Sequence, residues 1–227
     1  KHKLVPQKPQ CGWETLWAPS STTLVTAGCD YKVKAWNAAT AKKLAVWKAK
    51  KEAVMSAAFS PDGRFLAWGC EFGYFTVVDF ARQKELYTLY VGLMDIRSIC
   101  FAPDSPTVIV PCGNSVKCFD AASGVEELTL PSKCWRFLAV SPDGAFLACT
   151  HSMDATKPWV MAIHLWDLRK RRCVATLGPQ EGTTRLAFSP GGNYLVVSYH
   201  GAVAFSPVGL TVATNDKKLQ IWEMKDL

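Results

Sequence analysis

A short apolar run ending in a proline turn recurs six times in this 227-residue chain, and that recurrence limits the possible folds more than any other feature. The copies read LWAPSS at residues 16–21, AFSPDG at 58–63, CFAPDS at 100–105, AVSPDG at 139–144, AFSPGG at 187–192 and AFSPVG at 204–209. Their prolines, Pro19, Pro61, Pro103, Pro142, Pro190 and Pro207, are separated by 42, 42, 39, 48 and 17 residues. Proline pre-sets φ for the first central turn position, aspartate suits the next, and glycine accepts positive φ. Each copy therefore predicts a tight turn between two antiparallel strands.

After each turn comes an apolar run, such as RFLAWG at 64–69, AFLACT at 145–150 or NYLVVS at 193–198, with the composition of a buried strand. A third strand ends in a bulky residue followed by a polar or acidic one: Trp36-Asn37, Val78-Asp79, Phe119-Asp120, Trp166-Asp167 and Trp222-Glu223. Fourth strands are expected at 43–47, 85–89, 127–130 and 173–177. The chain is thus all-β and built from four-stranded units. We expect one domain over residues 1–227, with units at 11–52, 53–95, 96–133 and 134–182, an incomplete unit at 183–200, and a last unit at 201–227.

Four-stranded units of this length with a tryptophan-aspartate pair closing the third strand resemble the WD-repeat β-propeller family. The best copy is HLWDL at 164–168, and Asp30 and Asp216 each stand six residues before a tryptophan, where the family places a turn aspartate. The GH dipeptide that opens many family repeats is absent, which weakens the expected buried hydrogen-bond network. The resemblance implies a β-propeller of six or seven blades, one incomplete in this sequence, with Lys3-Leu4-Val5 closing the final unit beside the C-terminal strand. The proline-to-tryptophan spacing of 24 residues in the fourth unit, against 17 in the first, predicts an insertion at 152–160 that carries Trp159. The 17-residue step before Pro207 leaves no room for two strands and predicts missing residues near His200 and Gly201.

Several function classes find no support. No run approaches the ~18 apolar residues that span a bilayer, and the start KHKLVPQKPQ lacks a hydrophobic signal core. Nine cysteines, an odd number without paired metal-ligand spacing, read as reduced core thiols of an intracellular, most simply cytoplasmic, protein. Of four histidines, His164 reads as a strand residue and His151 as a loop residue near Asp154. No glycine-rich phosphate loop occurs, and Glu126-Glu127 read as solvated turn residues. No catalytic residue, cofactor, metal, membrane or small-molecule substrate is expected.

The formal charge of +7 points instead to acidic partners. Family organisation implies that third-to-fourth-strand turns share one rim. Lys42, Lys43, Arg82, Lys84, Arg169, Lys170, Arg171 and Arg172 would then make a basic arc, interrupted by Glu126-Glu127. On the opposite rim stand Lys48, Lys50 and Lys51, and Arg97 and Arg136 occupy equal register six residues before their prolines, with Arg185 one position off. These arginines suit an acidic peptide, unless internal acids such as Asp95 hold them. Trp159 is a further partner-binding candidate. The expected function is a non-enzymatic scaffold for protein partners in a larger assembly. The alternatives are an RNA-associated component using the basic rim, and a cytoskeletal or ciliary propeller docked on acidic tubulin.

Overall fold

The computed structural model describes residues 14–19, 22–50, 52–132, 134–153, 160–181, 185–198, 203–205, 212–214 and 219–224. Antiparallel hairpins built on the proline turns give four four-stranded sheets. The first holds β1 (Glu14–Trp17), β2 (Thr23–Ala27), β3 (Lys32–Asn37) and β4 (Lys43–Lys48), and the second β5 (Val54–Phe59), β6 (Phe65–Cys70), β7 (Tyr74–Asp79) and β8 (Lys84–Tyr90). The third holds β9 (Cys100–Phe101), β10 (Thr107–Pro111), β11 (Val116–Asp120) and β12 (Glu126–Leu130). The fourth holds β13 (Cys134–Val140), β14 (Phe146–Ser152), β15 (Val160–Asp167) and β16 (Arg172–Glu181). In each sheet the strands lie in chain order.

The proline turns satisfy their own polar groups. The Ser60 hydroxyl accepts the Phe65 amide at 2.8 Å and donates to Asp62 at 2.6 Å. Asp62 accepts the Arg64 amide at 3.0 Å, and the Gly63 amide donates to the Ser60 carbonyl at 2.8 Å. Gly63 has φ +71°, a left-handed value that glycine adopts without steric cost. Ser141, Asp143 and Gly144 repeat this arrangement, with Phe146 donating to the Ser141 hydroxyl at 2.8 Å. Side chains that bond their own turn compete with any other local structure, so the SPDG sequence fixes where each hairpin bends.

Two compact units divide the chain: Lys1–Phe101 with Pro106–Val110 and Cys118–Glu127, and Ala102–Ser105 with Pro111–Lys117 and Leu128–Leu227. In the first, β2 and β3 pack Val25, Val33 and Ala35 onto Leu66, Trp68 and Val78 of the second sheet. Trp47 joins them, its ring 6.3 Å from Trp68 and 5.8 Å from Phe80. In the second unit, Ala148, Ile163, Leu165 and Leu177 of the fourth sheet meet Leu195 and Val197.

The strand pairing at the C-terminal end corrects the expected grouping. β17 (Arg185–Phe188) and β18 (Tyr194–Ser198) make the anticipated first hairpin, but β18 pairs next with β21 (Leu219–Glu223), with Leu195 opposite Trp222. β19 (Val203–Phe205) and β20 (Val212–Thr214) form a separate two-stranded hairpin. The Trp222-Glu223 strand therefore completes the unit begun at residue 185 rather than one begun at 201. The physical reason is edge satisfaction. β18 is an apolar strand with an open edge, one strand with the required ending follows it, and unpaired buried backbone groups are costly. The proposed closing strand at Lys3-Leu4-Val5, the turn residue Asp216 and the junction at His200-Gly201 lie outside the described residues.

Two smaller expectations also change. Glu126 and Glu127 lie in β12 rather than in a turn, and Glu127 accepts the Thr107 hydroxyl at 2.9 Å. His151 lies in β14, not in a loop, and its ring stacks on His164 of β15 at 4.4 Å. Among the cysteines, Cys70, Cys118, Cys134 and Cys149 are buried, whereas Cys173 is exposed. Burial pushes the Cys70 and Cys118 thiols up to about 12, which makes them inert packing groups.

Candidate functional site

The turns between third and fourth strands are built alike from different sequences. Asp79 accepts the Arg82 amide at 3.0 Å, Asp120 the Ser123 amide at 2.7 Å and Asp167 the Lys170 amide at 2.8 Å. Asn37 does the same for Thr40 at 2.9 Å, which explains why an amide serves where an acid is usual. The next residue is left-handed in every case: Ala41 (φ 55°), Gln83 (φ 54°), Gly124 (φ 74°) and Arg171 (φ 53°). Pairing registers shift beside three of these turns, between Ala35 and Trp36, Val77 and Val78, and Leu165 and Trp166. This is a turn closed by a bulge, and the capping carboxylate holds non-glycine residues in a conformation they ordinarily avoid. The acid that ends each third strand is therefore a turn-builder. The amide of the residue three positions on holds the Asp79 and Asp167 carboxyls below the usual range, and the Ser123 hydroxyl does so for Asp120.

The cap determines which basic residues remain available. In the first unit the Arg82 guanidinium donates to Asp79 at 2.8 Å, with Arg64 3.9 Å from the same carboxylate, so Arg82 is partly neutralised. Lys42, Lys43 and Lys84 are exposed. In the second unit Lys170 stands 3.2 Å from Asp167. Arg169, Arg171 and Arg172 are exposed beside it, and the charge of Arg169 acts on Asp143 of the adjoining proline turn. Four consecutive cations thus occupy one hairpin end against two carboxylates that both serve as turn caps.

The other candidates fare differently. Arg97 lies in the segment before β9 and donates to Asp95 at 2.7 Å, so an internal acid holds it. Arg185 opens β17, exposed, with its guanidinium 4.4 Å from the centre of the Phe137 ring. That is a cation–π arrangement with a residue of β13 in the preceding sheet. Arg136 falls within β13, but its side chain, like Trp159 and Lys51, lies outside the described residues. Lys48 and Lys50 are exposed. Trp36, half-buried, donates from its indole to the Thr26 hydroxyl at 2.9 Å, and Asp30 in the preceding turn pairs with Lys34. Among the described residues no group of three or more His, Cys, Asp or Glu side chains is placed to hold a metal ion. Nor is any helix among them long and apolar enough to cross a membrane.

Sequence reasoning missed the surroundings of the basic turn. Phe146, Leu165, Val174 and Met224 come from three strands and the residue after a fourth, and they meet at the same hairpin end as Arg172 and Cys173. The one sequence signal available was the position of Cys173, a cysteine directly following four cations.

The described strands form consecutive four-stranded antiparallel sheets with capped third-to-fourth-strand turns, the repeating unit from which β-propellers are built. Comparison with known proteins finds WD-repeat matches over part of the chain. The model for "WD domain, G-beta repeat" matches residues 41–70 and 171–223. The small ribosomal subunit protein RACK1y of rice (Oryza sativa subsp. japonica) is 28% identical over 150 residues, covering 62% of this chain and 44% of that protein. The WD repeat-containing protein VIP3 of Arabidopsis thaliana is 32% identical over 111 residues, covering 43% of this chain and 35% of that protein. Among solved structures, Kuenenia stuttgartiensis hydrazine synthase aligns with a TM-score of 0.75 at 20% identity, over 93% of this chain and 62% of that one. That last likeness is one of fold. The matches support a WD-repeat protein, and the aligned part spans less than half the length of the two plant relatives.

Proposed function

We propose that this chain acts as a non-enzymatic WD-repeat scaffold holding protein partners in a larger intracellular assembly, and that the turn joining β15 to β16 contacts an acidic partner. One observation carries the reading: Arg169, Lys170, Arg171 and Arg172 crowd one exposed hairpin end, while the nearby carboxylates, Asp167 and Asp143, are engaged as turn caps. A rigid hairpin presents such charges without the entropy cost of ordering a loop on binding, which favours recognition. Cross-linking and affinity capture with the native chain and with a double variant, Arg169→Glu with Arg171→Glu, test it. Loss of specific acidic partners from the variant is expected, and identical recoveries refute the assignment.

RNA is the second reading, favoured by the rice relative's designation as a small ribosomal subunit protein. Binding to phosphates weakens steeply with salt because counterions are released. Titration of an oligoribonucleotide at two salt concentrations separates this from binding to acidic protein, and co-sedimentation with tubulin filaments tests the cytoskeletal variant of the protein reading.

A further inference from the structure

The basic turn borders a cleft of about 330 Å³. Its apolar wall is formed by Leu165, which belongs to the buried core with Ile163, Leu177 and Leu195, and by Phe146, Val174 and Met224, which pack against that core. Asp167, Lys170, Arg172 and the exposed Cys173 complete the lining. The cleft therefore has an apolar wall at a hydrophobic core and a polar rim, and it opens where the chain concentrates positive charge.

We propose that this cleft anchors a bulky apolar side chain, an aromatic ring above all, of an acidic peptide segment whose carboxylates meet Arg172 and the neighbouring turn. The proposal deepens, and rests on, the reading of this turn as a surface for acidic protein. Size permits it: an enclosed cavity of ~150 Å³ already admits a benzene ring, and this open cleft of about 330 Å³ has room for one against its apolar wall. Charge sets the sign of the partner. Of the three charged side chains in the lining, Asp167 is held by the Lys170 amide at 2.8 Å and the Lys170 ammonium at 3.2 Å, leaving Arg172 as the net charge. An apolar anchor seated beside a rim cation is the arrangement in which interfaces concentrate binding energy. RNA would use the cations but has no need of the apolar wall.

Two labelled acidic peptides, identical except for a central Phe or Ala, distinguish these cases by fluorescence anisotropy against the 227-residue chain. The Phe peptide is expected to bind about tenfold tighter, as burial of much of one aromatic side chain implies. It should also slow alkylation of Cys173 by iodoacetamide, read by mass spectrometry, while the Ala peptide leaves that rate unchanged. Arg171→Glu, on the turn but outside the lining, should weaken both peptides and preserve their ratio. Cys173→Trp, which fills the mouth from an exposed position, should abolish the ratio. Equal affinities without protection of Cys173, both lost in Arg171→Glu, would overturn the anchor site and leave the acidic-partner reading intact. Binding of neither peptide, or of an oligoribonucleotide alone, overturns both.

Discussion

Substitution of Gly69 by alanine tests the packing that carries the segment with Arg97. Gly69 is the penultimate residue of β6, a strand in which every residue is buried. A Cβ built there overlaps Cγ2 of Ile96 and stands 2.6 Å from its Cβ and 2.8 Å from its carbonyl oxygen. Comfortable carbon contacts are ~3.5–4.0 Å, so Ile96 has to move by about 1 Å. It has little freedom to do so. Ile96 is fully buried, its carbonyl accepts the Ser56 hydroxyl at 2.7 Å, and its amide donates to the Cys70 carbonyl at 3.0 Å. Overpacking of this kind costs about 1–3 kcal/mol, and distortion of the Ser56 bond adds about 1 kcal/mol. The lower entropy of an unfolded alanine offsets about 0.4–1 kcal/mol. The net loss is therefore about 2 kcal/mol, measured as a lower urea midpoint at unchanged slope. Gly191→Ala is the control, because its Cβ meets nothing nearer than 3.6 Å. A loss below about half a kcal/mol for Gly69→Ala, or equal losses for both variants, would refute the argument.

Trp166 is 5% exposed, so Trp166→Ala should cost about 3–5 kcal/mol. The half-buried Trp36 should cost less, and denaturation of the two variants side by side gives the order. Acid should destabilise the protein through its turn caps: Asp79, Asp120 and Asp167 have folded pKa values below their unfolded ones, so their contribution is complete above about pH 4 and fades as pH falls through the depressed values. Burial first, and the neighbouring His151 second, lower the His164 pKa. The unfolded chain therefore takes up that proton first, and stability should fall as pH drops below about 6.5. Thermal melts of His164→Asn should show a flatter dependence over that range.

The proline turns were legible because their chemistry is local. Ser60, Asp62 and Gly63 bond one another within four residues, so the sequence contains the whole device. The bulged turns at the other end of the hairpins were legible only as an acid at the strand end. Three of the four left-handed positions are Ala41, Gln83 and Arg171, none of which announces positive φ, because a capping side chain four residues earlier imposes it. What depends on register stayed hidden. The stack of His151 on His164 follows from His151 facing Ala162 and Cys149 facing His164 across β14 and β15. The contact of Gly69 with Ile96 joins residues 27 positions apart, and Ile96 lies in the irregular segment between β8 and β9. The basic cluster at Arg169–Arg172 was visible, but the apolar cleft beside it needed four strand ends to be placed first.

The C-terminal pairing is the point at which repeat arithmetic and strand pairing part, and it can be decided directly. Repeat spacing assigns Leu219–Glu223 to the hairpin immediately before it, β19 and β20. In the structure it lies against β18, with Tyr194 opposite Glu223 and Ser198 opposite Leu219. Directly opposed residues of an antiparallel pair have Cβ atoms ~4.5–5.5 Å apart, within reach of a short bifunctional thiol reagent. In a Cys173→Ser background, which removes the exposed native thiol, Tyr194→Cys with Glu223→Cys should cross-link rapidly within one chain. Both positions are half-buried at the sheet end, so the substitutions leave the core intact. Rapid linkage of Val212→Cys with Glu223→Cys, and none between 194 and 223, would return β21 to the hairpin before it. The cleft would then lose Met224 from its wall, since that residue follows β21 directly.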